Sequence, residues 1–298
     1  MSDTLENLHR RRGSAAELGS VVRAMKAMAA SNIGQYEIAV RSLHDYYRTV
    51  SLSFYETFFN QSSHQIPIIE TNKKEHYRAA VVFGSDQGLV GRFNDKLAEF
   101  VQHRLEQLNG NKTIWLVGER MLSSFTEKDI TDTKIFTVPN SVDGIRSLVN
   151  KILVKIEEAG EQKKLDDLYI FHNAPLHKAG YEQVMLQLLP LDGQWKKDIG
   201  ITAWPTKNPP QVIGGNEKVL PALIKEYLFT SLYKACAESL ASENASRLEA
   251  MQRAEKNIGD MVDDLNQTYN RLRQSTIDEE LFDVVAGYEA LKNAKHNS

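Results

Sequence analysis

Along residues 4–60 the apolar side chains recur at every third or fourth position. They are Leu5, Leu8, Ala15, Leu18, Val22, Met25 and Ala29, then Tyr36, Val40, Leu43, Tyr47, Val50 and Phe54. This alternation is the seam of a coiled coil. The phase falters at Arg12 and near Asn32 and Ile33, and Gly13, Gly19 and Gly34 interrupt it. Each glycine weakens a helix by about 1 kcal/mol relative to alanine. A helical glycine also lets another backbone approach, so these three are candidate contact points. The same spacing returns near the other end of the chain, at Leu248, Met251, Ala254, Ile258, Met261, Leu265, Thr268 and Leu272. There Glu243/Arg247 and Glu249/Arg253 stand four apart with Glu first, the orientation that supports a helix. A long helix this polar needs a partner. The two ends of the chain are therefore expected to pair as an antiparallel coiled coil, residues 1–60 with residues 216–298.

Between the arms, residues 75–206 alternate strand-like and helix-like segments. "RAAVVFG", "KTIWLVG", "TKIFTV", "DDLYIFHN" and "EQVMLQLLPL" read as strands. "NDKLAEFVQHRLEQL", with an N-cap candidate at Asn94, "ERMLSSFTEK", and "SVDGIRSLVNKILVKIEEAG", capped at Ser141 and stopped at Gly160, read as helices. Such alternation predicts βαβ units and a largely parallel sheet. The fold class is thus a Rossmann-like α/β domain inserted between two terminal helices. "AWPTKNPPQVIGG" breaks regular structure and marks a boundary.

Bulk properties narrow the function. A net charge of −3 over 298 residues argues against a dedicated nucleic-acid binder. The single cysteine, Cys236, forms no intrachain disulfide and fits a reducing compartment. "MSDTLENLHRRR" has no apolar signal core, and no uncharged apolar run reaches the ~18 residues of a membrane span. No direct membrane insertion is expected.

Four motifs carry candidate chemistry. "FGSDQGLVGRFN" places Gly84, Gly88 and Gly91 between a strand and a helix, where dinucleotide-binding domains hold phosphate. The spacing matches neither G-x-G-x-x-G nor a P-loop, and a tight turn with Asp86 satisfying backbone donors is the simpler reading. His172 and His177 lack further ligands at metal spacing. "HRRR" at residues 9–12 is either a solvated helix face or a contact for acidic groups, and acids such as Asp260, Asp263 and Asp264 lie late in the other arm. In "YNRLRQSTIDEELFDVVAGYEAL", Arg271, Arg273 and Gln274 precede an acidic step and then apolar Leu281, Phe282, Val284 and Val285. If the C-terminal arm outruns its partner, this end is a binding surface; otherwise it folds back on the α/β domain. No G-x-S-x-G elbow is present, and no catalytic site or cofactor is expected.

"VVRAMKAMAAS" (residues 21–31), "GSDQGLVG" (residues 84–91) and "LASENASRLEAMQRAEKNIGDMVDDLNQTYNRLRQSTIDEEL" (residues 240–281) resemble the gamma subunit of F-type rotary ATP synthases. The resemblance implies a rotor stalk. Its coil stands inside a ring of catalytic beta and non-catalytic alpha subunits, and its α/β domain sits with the epsilon subunit on the membrane c-ring. Such a complex lies on the cytoplasmic face of the bacterial membrane. One ion crossing 100 mV yields only about 2.3 kcal/mol, so a shaft accumulates several crossings per ATP. By the same resemblance, Arg273 and Gln274 grip a catalytic subunit, with Asp278, Glu280 and Asp283 at neighbouring tip positions. Leu281, Phe282 and Val285 belong to a segment held in an apolar sleeve. Met25, Lys26, Gln87 and Val90 match positions facing the levers of the catalytic subunits. The family usually has Arg and Cys at the positions of Gln87 and Val90, and a Thr-Gln-Lys-containing run where this chain has "GSAAELGSVV". These departures resemble an alternate, sodium-type bacterial branch. No inserted cysteine pair is present, which excludes a plant-type thiol switch. Two other readings stay open from the residues themselves: a nucleotide-using α/β enzyme dimerised by its arms, and a coiled-coil scaffold or chaperone.

Overall fold

The computed structural model describes residues 4–59, 76–125, 133–162, 165–176, 180–191, 208 and 216–296. The boundary segment at residues 203–215 lies, apart from Asn208, outside the described residues, as does His177. In chain order the elements are α1 (Leu5–Phe59), β1 (Tyr77–Phe83), α2 (Phe93–Glu106), β2 (Asn111–Val117), α3 (Glu119–Leu122), β3 (Lys134–Phe136), α4 (Val142–Glu161), β4 (Asp167–Pro175), β5 (Tyr181–Leu189) and α5 (Asn216–His296). An α/β domain is thus inserted between two long terminal helices. Two compact units divide the chain: Met1–Met28 with Leu248–Ser298, and Ala29–Arg247.

The first unit is an antiparallel helix pair. Arg12 reaches Asn266, Gly19 faces Ile258 and Lys26 reaches Glu255, so the numbering of one helix rises as that of the other falls. Leu8, Ala15 and Leu265 are buried, with Val262, Tyr269 and Leu272 packed around them. On α1 the inward positions are Leu8, Arg12, Ala15, Gly19, Val22 and Lys26, an unbroken alternation of four and three. The seam therefore does not falter at Arg12, and two expected seam members are corrected: Gly19 takes the place of Leu18, which is 59% exposed, and Lys26 that of Met25. On α5 the same one-residue slip replaces Met261, 55% exposed, by Val262 and the exposed Thr268 by Tyr269. Only Gly19 of the three α1 glycines is a contact point, since an added Cβ would lie 3.4 Å from Ile258; Gly13 and Gly34 have open space. Arg12 meets Asn266 at 3.4 Å and the ring of Tyr269 at 5.1 Å rather than a carboxylate of the acidic group.

The second unit is built on a five-stranded sheet of order β3-β2-β1-β4-β5. β1 to β4 run parallel, and β5 pairs antiparallel with β4 at one edge. β1 shows why its sequence is a continuous apolar run: Ala79, Val81 and Phe83 point to one core, Ala80 and Val82 to the other. On the first face lie Ile145, Val149 and Ile152 of α4, Tyr36, Val50 and Phe54 of α1, and Tyr227, Leu232 and Leu240 of α5. On the second lie Leu97, Val101 and Leu105 of α2. Two sequence expectations about helix ends are corrected. Asn94 is not the N-cap of α2; Arg92 holds that position, and the Asn94 side chain turns back into the preceding loop. Ser141 does precede α4, without a side-chain cap bond, but the helix passes Gly160 to end at Glu161.

Candidate partner-contact surfaces

The loop from β1 to α2 is held by its own unit. The Gly84 amide donates to Val117 O at 2.8 Å, and the Ser85 amide to Asn94 Oδ1 at 3.1 Å. Asn94 Nδ2 returns a bond to Ser85 Oγ at 2.9 Å. Asp86 satisfies two further backbone donors, the amide of Glu119 at the start of α3 and that of Val138 in the loop after β3, both at 2.8 Å. Gly118 lets the β2 to α3 turn lie against this loop, since it adopts φ +108 and an added Cβ would fall 2.7 Å from the Ser85 backbone. From α5, Ser239 Oγ donates to Phe83 O and Ser246 Oγ to Val90 O. A phosphate cradle needs free amides and no nearby anion. Here the Gly84 and Ser85 amides are engaged and a carboxylate sits at the centre, so the loop is a built turn.

That turn sorts the expected contact residues. Gln87 is exposed, whereas Val90 is buried at 3%. The apolar side chain the loop presents outward is Leu89, 61% exposed with φ 62. Sequence reasoning missed it because leucine carries no turn signal. In the helix pair, Met25 is half-buried and Lys26 is tied across to Glu255 at 2.5 Å. Met25 belongs to an outward stripe with Leu18, Val21 and Met28, which are 59%, 56% and 66% exposed. These positions lie one residue before the seam positions Gly19, Val22, Lys26 and Ala29, which is why the two stripes blur in the sequence.

The far end of α5 brings together the remaining predicted residues. Arg273, Gln274, Asp278, Glu280, Leu281, Phe282, Asp283 and Val285 are all exposed. Phe282 exposes 74% and Leu281 61% of its surface. At 3.6 residues per turn, Ile277, Leu281, Val284, Val285 and Tyr288 share one face, and Arg273 and Gln274 open that face one turn earlier. Ile277 and Tyr288 were not singled out in the sequence, although their spacing with Leu281 and Val284 was the available signal. This face is not a continuation of the pair's seam. The seam positions Leu265, Tyr269, Leu272 and Thr276 lie about 130° around the helix from it. The positions that do continue the seam are Glu279, Glu280 and Asp283.

Among the described residues, titratable groups elsewhere form no catalytic constellation. Burial lifts the Cys236 thiol far above its ordinary range, leaving it an inert core group. Burial also raises the Glu243 carboxyl, with the Arg247 guanidinium 2.7 Å away drawing it back. Among the described residues no group of three or more His, Cys, Asp or Glu could hold a metal ion, and His172 is paired with Glu238. Among them, too, no helix is long and apolar enough to cross a membrane.

The model of a family described as ATP synthase matches residues 4–291 of this chain. A protein of Ruminiclostridium cellulolyticum called ATP synthase gamma chain is 25% identical over 98% of this chain and 100% of its own length. One of the same name from Anaeromyxobacter is 27% identical over 97% of this chain and 99% of its own length. Among solved structures, a chain of the Euglena gracilis mitochondrial ATP synthase OSCP/F1/c-ring assembly shares the fold. It has a TM-score of 0.64 at 17% identity, covering 98% of this chain and 95% of that one. The chain therefore belongs to the ATP synthase family, as a gamma subunit of the F type.

Proposed function

We propose that this chain is the central rotor stalk of an F-type ATP synthase, a non-catalytic shaft that couples ion flow through the membrane to ATP synthesis or hydrolysis. The carrying observation is the end of α5, where an exposed apolar face stands beyond the seam with Arg273 and Gln274 at its base. A family member with such an end has a bearing surface and a polar grip, and no chemistry of its own. Residues 1–60 and 216–298 act as the coiled-coil shaft, and residues 75–206 as the foot. The partners are the catalytic beta and non-catalytic alpha subunits around the coil, with the epsilon subunit and membrane c-ring at the foot. The complex works as a peripheral assembly on the cytoplasmic face of the bacterial membrane. Arg273 and Gln274 grip a catalytic subunit, flanked by Asp278, Glu280 and Asp283. Leu281, Phe282 and Val285 run in the apolar sleeve. Met25 and its stripe, Lys26 and Gln87 face the levers, and Leu89 fills the role expected of Val90.

Reconstitution tests this reading. The purified chain alone should hydrolyse no ATP, and hydrolysis should appear on mixing with alpha and beta subunits. Turnover by the chain alone would end the proposal. Arg273→Ala combined with Gln274→Ala should lower ion-driven ATP synthesis in membranes severalfold; unchanged synthesis would remove those two residues from the grip.

A further inference from the structure

Between β4, β5 and α5, inside the second unit, lies a cavity of about 310 Å³ that the shaft function does not use. Two polar atoms at its wall are buried without a partner, His172 Nδ1 and Ser231 Oγ. Buried polar groups are nearly always hydrogen-bonded, so a pair left bare at one cavity points to something that binds there. The imidazole is fixed from its other side, with Nε2 2.9 Å from Glu238 Oε2 and only 5% of the side chain exposed. Lys234 approaches the same carboxylate at 3.8 Å and lies over the Tyr47 ring. On the same sheet face as His172 the lining is apolar, from Ala174, Val184 and Leu186, with Val184 directly across from His172. An adjoining hollow of about 400 Å³ shares Tyr47, Lys234 and Glu238 and adds Arg41 and His44 of α1.

The chemistry of the cavity is unbalanced in one direction. Glu238 is the single carboxylate, facing two permanent cations and two imidazoles. With Nε2 engaged by Glu238, Nδ1 is the ring's remaining polar atom at the cavity. The Ser231 hydroxyl and the Lys234 ammonium are donors beside it. Converging donors call for an oxyanion, the apolar wall calls for a hydrocarbon body, and a volume at the small end of ligand sites suits a small one. We propose that this cavity binds a short-chain organic carboxylate. The head rests on the Ser231 hydroxyl beside the His172 ring, within reach of Lys234, and the alkyl part lies against Val184 and Leu186.

Histidine nitrogen resonances of the full chain, titrated with sodium butyrate, test this, with the His172 signals assigned by their loss in His172→Gln. The His172 signals should shift saturably. Ser231→Ala should weaken binding about tenfold, the scale of one hydrogen bond to a charged group. Butyrate should bind more tightly than acetate, and inorganic phosphate or chloride at matched ionic strength should give no saturable shift. The proposal is overturned by a linear response, by equal affinity in Ser231→Ala, or by phosphate binding as tightly as butyrate. Should Ser231→Ala fail to fold, the order of butyrate, acetate and phosphate on the unaltered chain decides.

Discussion

The exposed end of α5 allows folding to be separated from assembly. Leu281 and Val284 expose 61% and 69% of their surfaces. Full burial of such a side chain contributes about 1.5–3 kcal/mol. The part still exposed leaves each about 1–2 kcal/mol to gain in an apolar sleeve, or about 2–4 kcal/mol for the two. At about 1.4 kcal/mol per tenfold, Leu281→Gln with Val284→Gln should weaken association with the alpha and beta ring roughly 30- to 700-fold. Glutamine keeps the helix propensity, and exposed substitutions usually change stability by less than about 0.5 kcal/mol. The isolated double variant should therefore unfold at the same urea concentration as the parent. The assay is a titration of labelled chain with ring subunits, followed by anisotropy, beside urea unfolding of the chain alone. Undiminished affinity would show that this face meets no apolar partner. A loss of more than about 1 kcal/mol in the isolated chain would show that the face already packs within it.

Other predictions concern the built parts of the fold. Gly13→Ala meets no atom within 4 Å and should gain about 0.5–1 kcal/mol of stability, read as a higher urea midpoint. Gly118→Ala, forced into φ +108 against the Ser85 backbone 2.7 Å away, should lose about 2 kcal/mol or more in the same measurement. Arg247→Met strands the buried Glu243 carboxylate and should cost about 3–5 kcal/mol at neutral pH. Burial raises the folded Glu243 carboxyl above its unfolded value, so its stabilising contribution is full below the ordinary glutamate range and lost as pH climbs through the raised value. The stability of Glu243→Gln relative to the parent should accordingly improve between pH 4 and pH 8; a difference that stays flat across that range would contradict the assignment.

The architecture was legible because two periods dominate the chain. Spacing by three and four marked both arms, and buried runs such as that of β1 marked the sheet. What slipped was phase. Arg12, Gly19 and Lys26 occupy seam positions on α1, and hydrophobicity alone steps over them to Leu18 and Met25. Their inward placement is made possible by partners on α5: Asn266 and Tyr269 for Arg12, Glu255 for Lys26, Ile258 against the bare Cα of Gly19. Those partners lie more than two hundred residues away in sequence, as the Arg12 to Asn266 separation of 254 illustrates. Asn94 misled for a related reason. It looks like a helix cap, but its amide is used to pin Ser85, a tertiary demand that outweighs local preference. Of the candidate surfaces, the tip was readable from its exposed apolar residues, whereas the outward placement of Leu89 rather than Val90 depends on a backbone turn that hydropathy does not encode.

The rotation between the two apolar faces of α5 bears on how one helix serves two partners. A seam of fours and threes repeats every seven residues, so α1 could in principle slide along it by whole heptads. Sliding toward the tip would set α1 against Glu279, Glu280 and Asp283, which continue the seam but would have to be desolvated. Sliding either way would also separate Gly19 from Ile258 and Lys26 from Glu255. The apolar residues Ile277, Leu281, Val284 and Tyr288, by contrast, lie about 130° away from the face α1 uses. They cannot compete for α1, and α1 cannot cover them by slipping. A single helix thereby carries one apolar face that fixes the register of the pair and a second that stays exposed, with acidic residues where the seam would otherwise continue.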